Sequence, residues 1–301
     1  MSQYYFALTN PEAESLLKEE IAQNYPDLRL SYSRPGFLTF KSERPVRFNP
    51  LFARVAGPSQ GKLEYSQLNF ARAWVWKRDP ELEIPPELQK LSDHSLFKIG
   101  EKVTLIMMVG ANEYWIGEYD LQKTHFQTPG EVSSIEEADV PSRAYYKIAE
   151  AHEAFDLPFD HQERVLELGS APGGASLFLL EQDMKVLGVD PADMDARVLK
   201  HINFRHLRRP FETITENQFA SDVDWIVSDI NLPPTVVFKE VLRFLGFLNP
   251  RGLVLTLKIN EDKHLRMLPM MKRELKEQGF DLVEFKYLPS HRREIALIAL
   301  R

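Results

Sequence analysis

Residues 165–177 read VLELGSAPGGASL, and the rest of the chain can be placed around them. Val165, Leu166 and Leu168 make an apolar stretch broken only by Glu167, as in a strand buried on both faces. A turn with Gly169, Gly173 and Gly174 follows, and a helix opens at Gly174. Glycines here let a ligand come close to the backbone, and the helix start favours negative charge. The turn departs from the dinucleotide pattern GxGxxG at its first and middle positions. The next strand ends in Gly188-Val189-Asp190, and an acid at that place in a nucleoside-binding sheet accepts hydrogen bonds from ribose hydroxyls. A tight turn without a ligand is the plainer reading, and Asp190 weighs against it.

Outward from this turn, strands and helices alternate. Ser142–Phe155 is expected as a helix, Arg164–Leu168 as a strand and Gly174–Glu181 as a helix. Val186–Val189 and Trp225–Ser228 are expected as strands, Val236–Leu245 as a helix, Leu253–Lys258 as a strand and Leu268–Gln278 as a helix. Phe280–Leu288 and Glu294–Leu300 close the chain as strands. Repeated βα units with short connections predict an α/β fold with a doubly wound parallel sheet and an antiparallel end. The first part of the chain is different. Tyr4–Leu8 reads as a strand, Asn10 caps a helix with Pro11 in its first turn, and Leu28–Tyr32 and Phe37–Lys41 flank the turn Pro35-Gly36. A less regular stretch rich in Pro and Arg precedes a hairpin of Val103–Val109 and Tyr114–Tyr119. The expected organisation is a small α+β domain over 1–125, a linker over 126–140 and the βα domain over 141–301.

The bulk composition excludes several classes. With 44% hydrophobic and 27% charged residues, the 301-residue chain has apolar material for an ample core. It has no cysteine, so disulfides, thiolate zinc sites and a cysteine nucleophile are out. The eight histidines are scattered without the spacing of a helical metal site, and no metal is expected. The start MSQYYFALTNPEAE lacks a signal peptide's basic and apolar regions, and no apolar run reaches spanning length, so a cytoplasmic protein is expected. A net charge of −7 argues against a chain that coats nucleic acid but leaves room for a local basic face.

Residues 253–260, LVLTLKIN, pose a problem of their own. An ammonium at the end of a core strand costs several kcal/mol unless a partner stabilises it. Lys258 therefore predicts a nearby counter-charge. Asp229 ends the strand WIVSD at the edge where such sheets bind ligands, Lys147 lies on the helix before the first strand, and Glu294 begins the last strand. Taken singly, each reads as an ordinary polar residue.

Together, ELGSAPGG and VLGVDPADM resemble the S-adenosylmethionine site of the FtsJ-type ribose 2'-O-methyltransferases. The likeness extends to PSRAYYKIAEAHEAF, VSDI, LTLKIN and HRREIALIAL. Within that superfamily the chain looks most like the bacterial large-subunit (23S) rRNA cytidine 2'-O-methyltransferase family RlmM. That family carries a small THUMP-type RNA-binding domain ahead of a Rossmann-like catalytic domain. YWIGEYDLQKTHFQTPGE, before the linker, supports the N-terminal part of the match. The resemblance implies that Gly169, Ser170, Ala171, Pro172, Gly173, Gly174, Asp190 and Asp229 hold S-adenosylmethionine. It also implies that Lys147, Asp229, Lys258 and Glu294 form the family's Lys-Asp-Lys-Glu tetrad. Lys258 would accept the 2'-hydroxyl proton, Asp229 and Lys147 would hold the hydroxyl and tune that lysine, and Glu294 would orient the lysine pair. Where the family has an acid or amide facing the adenine, this chain has HLRRPFE, with Arg209 and Pro210. Glu212 or a backbone carbonyl then serves, or cofactor affinity is weaker. Met194 is a candidate for packing against the adenine or for the core.

The implied partner is large-subunit rRNA, free or in a ribosome-assembly intermediate. Basic residues cluster in three places: Arg197, Lys200, Arg205, Arg208 and Arg209; Lys263, Arg266, Lys272 and Arg273; and Arg292 and Arg293 beside His291. Arg208, Arg209, Lys263, Arg266, Arg292 and Arg293 are the expected RNA contacts, with Tyr287 and Phe126 as candidate stackers. Arg54, Arg72, Lys77 and Arg78 could extend that surface, whereas Trp74 and Trp76 between them read as core. Two other readings stay open: a methyltransferase for a small molecule or protein, and an RNA-binding protein whose methyltransferase domain is not catalytic.

Overall fold

The computed structural model describes residues 2–68, 70, 72–91, 97–121, 139–219 and 222–301. The chain divides into two compact units, Met1–Ser134 and Ile135–Arg301. Residues 126–138 of the expected linker, with Phe126, lie outside the described residues.

The first unit runs β1 (Gln3–Leu8), α1 (Glu14–Asn24), β2 (Arg29–Arg34), β3 (Phe37–Ser42), β4 (Val55–Leu63), β5 (Trp74–Lys77), α2 (Pro86–Gln89), β6 (Lys102–Gly110) and β7 (Glu113–Asp120). Its seven strands form one sheet in the order β2-β3-β1-β4-β7-β6-β5. Every pairing is antiparallel except that of β5 with β6. Asn10 caps the helical entry, its side chain accepting from the Glu12 amide at 2.9 Å. Two strands fall in the stretch that reads as irregular. β4 carries Gly57, Pro58 and Gly61, all poor strand formers. Gly57 is there because the Glu118 carbonyl occupies the space a Cβ would need, and Gly117 makes room for the buried ring of Phe6. β5 is short and its tryptophans are core, Trp74 at 2% and Trp76 at 7% exposure.

The second unit runs α3 (Ala144–Phe155), β8 (Arg164–Leu168), α4 (Gly174–Glu181), β9 (Lys185–Val189), α5 (Ala196–Leu199), β10 (Phe204–Leu207), β11 (Trp225–Ser228), α6 (Pro234–Leu245), β12 (Gly252–Lys258), α7 (Asp262–Glu277), β13 (Leu282–Lys286) and β14 (Glu294–Leu300). The sheet order is β10-β9-β8-β11-β12-β14-β13. The first five of these are parallel, and β14 is antiparallel to both its neighbours. This is the Rossmann-like α/β arrangement that the βα repeats predict. Its core joins α3 and α4 to one face of the sheet through Ile148, Phe178, Leu179, Val165, Val186 and Val227. Gly174 lets α4 open against the start of α3, because a Cβ there would meet the Ser142 side chain. The strand β10, with alternating arginine and histidine at the sheet's edge, lacks the apolar run that marks the other strands. α7 starts before the expected Leu268 and carries His264, Leu268, Met271 and Leu275 on its buried side.

Candidate active site at the carboxyl edge of the second sheet

The carboxyl ends of β8, β9, β11 and β12 bring the sequence motifs together. After β8 the chain turns through Gly169 (φ +74°) and Gly173 (φ +114°), conformations that side chains with a Cβ rarely adopt. The Gly169 amide donates to the Val189 carbonyl at 2.9 Å, fastening this turn to the end of β9. Asp190 follows directly. Its Oδ2 accepts from the Ala171 amide at 3.2 Å and its Oδ1 from the Ala192 amide at 2.8 Å. Each oxygen keeps a further lone pair for a hydroxyl donor. Met194 is 8% exposed, and a Cβ on Gly173 would lie 3.2 Å from its Cε, so it serves as core beneath the turn. A glycine turn with an acceptor acid beside it fits a nucleoside-bearing cofactor such as S-adenosylmethionine.

Next to this turn, four charged side chains from four elements converge. Lys147 projects from α3, Asp229 follows β11, Lys258 ends β12 and Glu294 opens β14, directly opposite Lys258 in register. The Lys258 Nζ donates to Asp229 Oδ1 at 2.8 Å. The Lys147 Nζ lies 3.2 and 3.1 Å from the two Asp229 oxygens and 2.8 Å from Glu294 Oε1. Glu294 Oε2 is 3.9 Å from Lys258 Nζ. All four side chains are 8–14% exposed, so solvent screens the cluster weakly.

The two lysines differ in proton affinity. Burial works against the Lys258 ammonium and the Lys147 cation adds to that; Asp229 and Glu294 offset only part, so its pKa sits below the ordinary lysine value. Burial also works against Lys147, but Asp229 and Glu294 outweigh it and hold its pKa above that value. The arrangement holds one ammonium charged and makes the other the easier to deprotonate to a free amine.

The turn before Glu294 is held from within. Glu150, one helical turn after Lys147 on α3, is fully buried, and its Oε2 accepts from the Ser290 amide at 2.9 Å. Arg143 donates to the Ser290 carbonyl at 2.7 Å. The Tyr287 hydroxyl donates to the carbonyls of His291 and Arg292 at 3.1 and 2.8 Å. At 3% exposure Tyr287 is a structural tie, so the structure corrects its reading as a stacking residue. Glu167, in the middle of β8, is also buried and accepts from the Ser176 hydroxyl. Burial, reinforced by Asp229 and Asp190, pushes its carboxyl up to about 8. Glu150 carries no spacing signal in the sequence and only its burial singles it out, whereas Glu167 opens the stretch ELGSAPGG.

The expected RNA contacts spread along the surface. The Ile259 amide donates to the Arg293 carbonyl at 2.7 Å, so the segment after β12 and the turn carrying Arg292 and Arg293 lie side by side next to Glu294. Arg266 is exposed on α7. Lys263 pairs with Glu261 at 2.8 Å. Beyond β10, Arg208 pairs with Asp193 at 2.8 Å, and Arg209 and Glu212 are exposed. Arg197 is bound to Asp195 and Asp139 at 2.8 and 3.1 Å. Part of the basic cluster counted from the sequence is thus already paired with the chain's own acids.

Residues 140–278 match the family model described as FtsJ-like methyltransferase. The chain is 27% identical over 172 residues to a ribosomal RNA large subunit methyltransferase M of Yersinia pestis, a match covering 53% of this chain and 46% of that protein. It is 29% identical over 119 residues to an uncharacterized protein of Methanocaldococcus jannaschii, covering 39% of this chain and 33% of that protein. The chain thus spans a third to about half of the length of these curated relatives. Among solved structures it is similar to Aeropyrum pernix fibrillarin with natively bound S-adenosyl-L-methionine, at 16% identity and a TM-score of 0.41, covering 68% of this chain and 84% of that one. The family-model match bears out the resemblance over residues 140–278, which hold the glycine turn, Asp229 and Lys258: there this chain matches the FtsJ-like methyltransferases.

Proposed function

We propose that the second unit transfers a methyl group to a ribose 2'-hydroxyl of large-subunit rRNA, at a cytidine, with Lys258 as the base. The observation that carries this reading is the pair of buried lysines on one carboxylate, Asp229, beside the glycine turn, with their proton affinities driven apart. S-adenosylmethionine, when bound, supplies an electrophilic methyl group on a sulfonium. Gly169, Ser170, Ala171, Pro172, Gly173 and Gly174 would hold it, with Asp190 accepting from its ribose hydroxyls and Asp229 closing the site. A ribose hydroxyl is a poor nucleophile until it is oriented and relieved of its proton. Lys258 Nζ, the amine more readily freed of its own proton, takes the hydroxyl proton in its neutral form as the oxygen–carbon bond forms. Lys147, held as a cation, stabilises the developing negative oxygen. Asp229 fixes both amines, and Glu294 sets the distance of Lys147 from Lys258.

The RNA surface in this proposal comprises Arg292, Arg293, Lys263 and Arg266 beside the tetrad, and Arg208 and Arg209 beyond β10. The first unit acts as a THUMP-like RNA-binding domain over 1–125, joined through 126–140 to the catalytic domain over 141–301. The protein works in the cytoplasm on free rRNA or on a ribosome-assembly intermediate. Among the described residues no helix is long and apolar enough to cross a membrane. The test incubates the protein with labelled S-adenosylmethionine and large-subunit rRNA. A ribose 2'-O-methyl group blocks alkaline cleavage of the adjacent phosphodiester, so the label is expected in an alkali-resistant dinucleotide beginning with cytidine. Label released as a mononucleotide would place the methyl group on a base and contradict the proposal.

A further inference from the structure

The opposite, amino edge of the same sheet carries a feature that the candidate active site does not use. The crossover from β10 to β11 contains two three-residue 3-10 turns, Phe211–Thr213 and Glu216–Gln218, where a doubly wound sheet ordinarily places a helix. The sheet face beneath is left with a cleft of about 290 Å³. Its apolar walls include Leu187, Phe219 and Ile202, the last 96% exposed.

Three cations line this cleft on three neighbouring strands. Arg164 on β8 stands opposite Lys185 on β9, and Arg205 on β10 stands opposite Leu187, two residues beyond Lys185. The register therefore puts all three on one face of the sheet. Like charges side by side on neighbouring strands are destabilising. Yet no carboxylate of the described residues forms a salt bridge with any of them; the Arg164 guanidinium donates only to the Asp222 carbonyl, at 3.3 Å. Arg197 and Arg208, by contrast, are paired. In an acidic chain, an unpaired cationic row on an apolar cleft marks a place where anions come from outside.

Asn203 and Gln218 also line the cleft, the Asn203 amide nitrogen donating to Asp183 Oδ1 at 3.3 Å. The Gln218 carbonyl oxygen is taken by Thr215, which leaves its amide nitrogen as a donor. A planar apolar group with hydrogen-bonding edges and a chain of anions is the ligand that suits walls, amides and cations together. Arg164 and Leu168, at the two ends of β8, are separated by about 13 Å of strand. A ligand in the cleft cannot touch the tetrad, and only a long one reaches both edges.

We infer that this cleft is a second RNA-binding site, taking an unstacked base and its flanking phosphates from the substrate's single-stranded part. The inference rests on the proposed RNA methyl transfer and deepens it. The test uses the full chain carrying Lys185→Gln and Arg205→Gln, with Ile202→Asp as a separate variant, and a single-stranded rRNA fragment titrated at several salt concentrations. All substituted side chains are exposed, and unchanged thermal melting checks the fold. The double variant is expected to bind RNA about tenfold more weakly at moderate salt, with its log–log salt slope reduced by roughly 1.4. Ile202→Asp is expected to weaken binding, and the cofactor affinity and kcat are expected to stay the same. Unchanged RNA affinity and slope, in a chain that methylates RNA, would overturn the cleft and leave the enzymatic reading standing. A parent chain that binds RNA through these cations without transferring a methyl group would support the cleft and overturn the enzymatic reading. A parent that binds no RNA overturns both. Binding of a polyglutamate peptide that is lost in the double variant, with RNA binding intact, would overturn the inference in favour of an acidic protein partner.

Discussion

Two buried carboxyl groups on adjacent strands of the second sheet have opposite surroundings. Asp229, just past β11, has two ammonium groups within 2.8–3.2 Å. Glu167, on the neighbouring β8, has the hydroxyl and backbone amide of Ser176, and burial pushes it up to about 8. The sheet thus sustains concentrated charge where both signs are supplied and holds an isolated acid in its neutral form. The difference assigns the two acids different work. Asp229 holds two cations together, whereas Glu167 is a hydrogen-bonded part of the core under the glycine turn.

The sharpest way to break this comparison is to remove the shared carboxylate. Asp229→Asn leaves two buried amines facing Glu294 alone. Breaking a buried ion pair on one side costs about 3–5 kcal/mol. A large fall in the chemical denaturation midpoint is expected, together with loss of methyl transfer. A variant as stable as the parent would show that the cluster is not an ion-paired unit.

Glu167→Gln sharpens the other side. The folded-state carboxyl is raised above the ordinary value of 4.5, so between about 4.5 and about 8 the folded chain keeps a proton that the unfolded chain releases. Its stabilising contribution is complete below the unfolded value and is lost as the pH rises through the folded one. Glutamine does not titrate. The variant is therefore expected to gain on the parent by on the order of 4 kcal/mol from pH 5 to pH 9, read from denaturation midpoints. A constant difference across that range would show that Glu167 is charged throughout.

The smallest effect lies on the surface next to Glu294. Arg292→Ser with Arg293→Ser is expected to leave folding stability within about 0.5 kcal/mol, as surface changes usually do. The KM for RNA is expected to rise and its salt dependence to flatten. An unchanged salt slope removes these arginines from the RNA surface.

The sequence makes the two units unequally legible. The second sheet's apolar strands, punctuated by glycine and followed by short helices, repeat a pattern whose spatial meaning is fixed by right-handed crossovers. In the first sheet, β4 depends on contacts with distant residues. The stretch holding Gly57 and Pro58 reads as irregular until the Glu118 carbonyl is seen to need the space at Gly57. The four charged residues, Lys147, Asp229, Lys258 and Glu294, can be named as a set through the family resemblance and their chain order. Their distances, and the opposite shifts of the two lysines, depend on how α3 and β14 flank β12, which no local spacing encodes. The amino-edge cleft was invisible for a related reason. It exists because the described residues of a crossover form short 3-10 turns in place of an α-helix, and because Arg197 and Arg208 find acids while Arg164, Lys185 and Arg205 form no salt bridge among the described residues.

Lys258→Ala tests the central assignment most directly, with S-adenosylmethionine affinity by calorimetry and single-turnover methyl transfer to rRNA measured on the same preparation. Loss of a positioned general base predicts transfer slower by about 10²–10⁴-fold, with cofactor affinity nearly unchanged. Transfer at the parental rate would contradict the account.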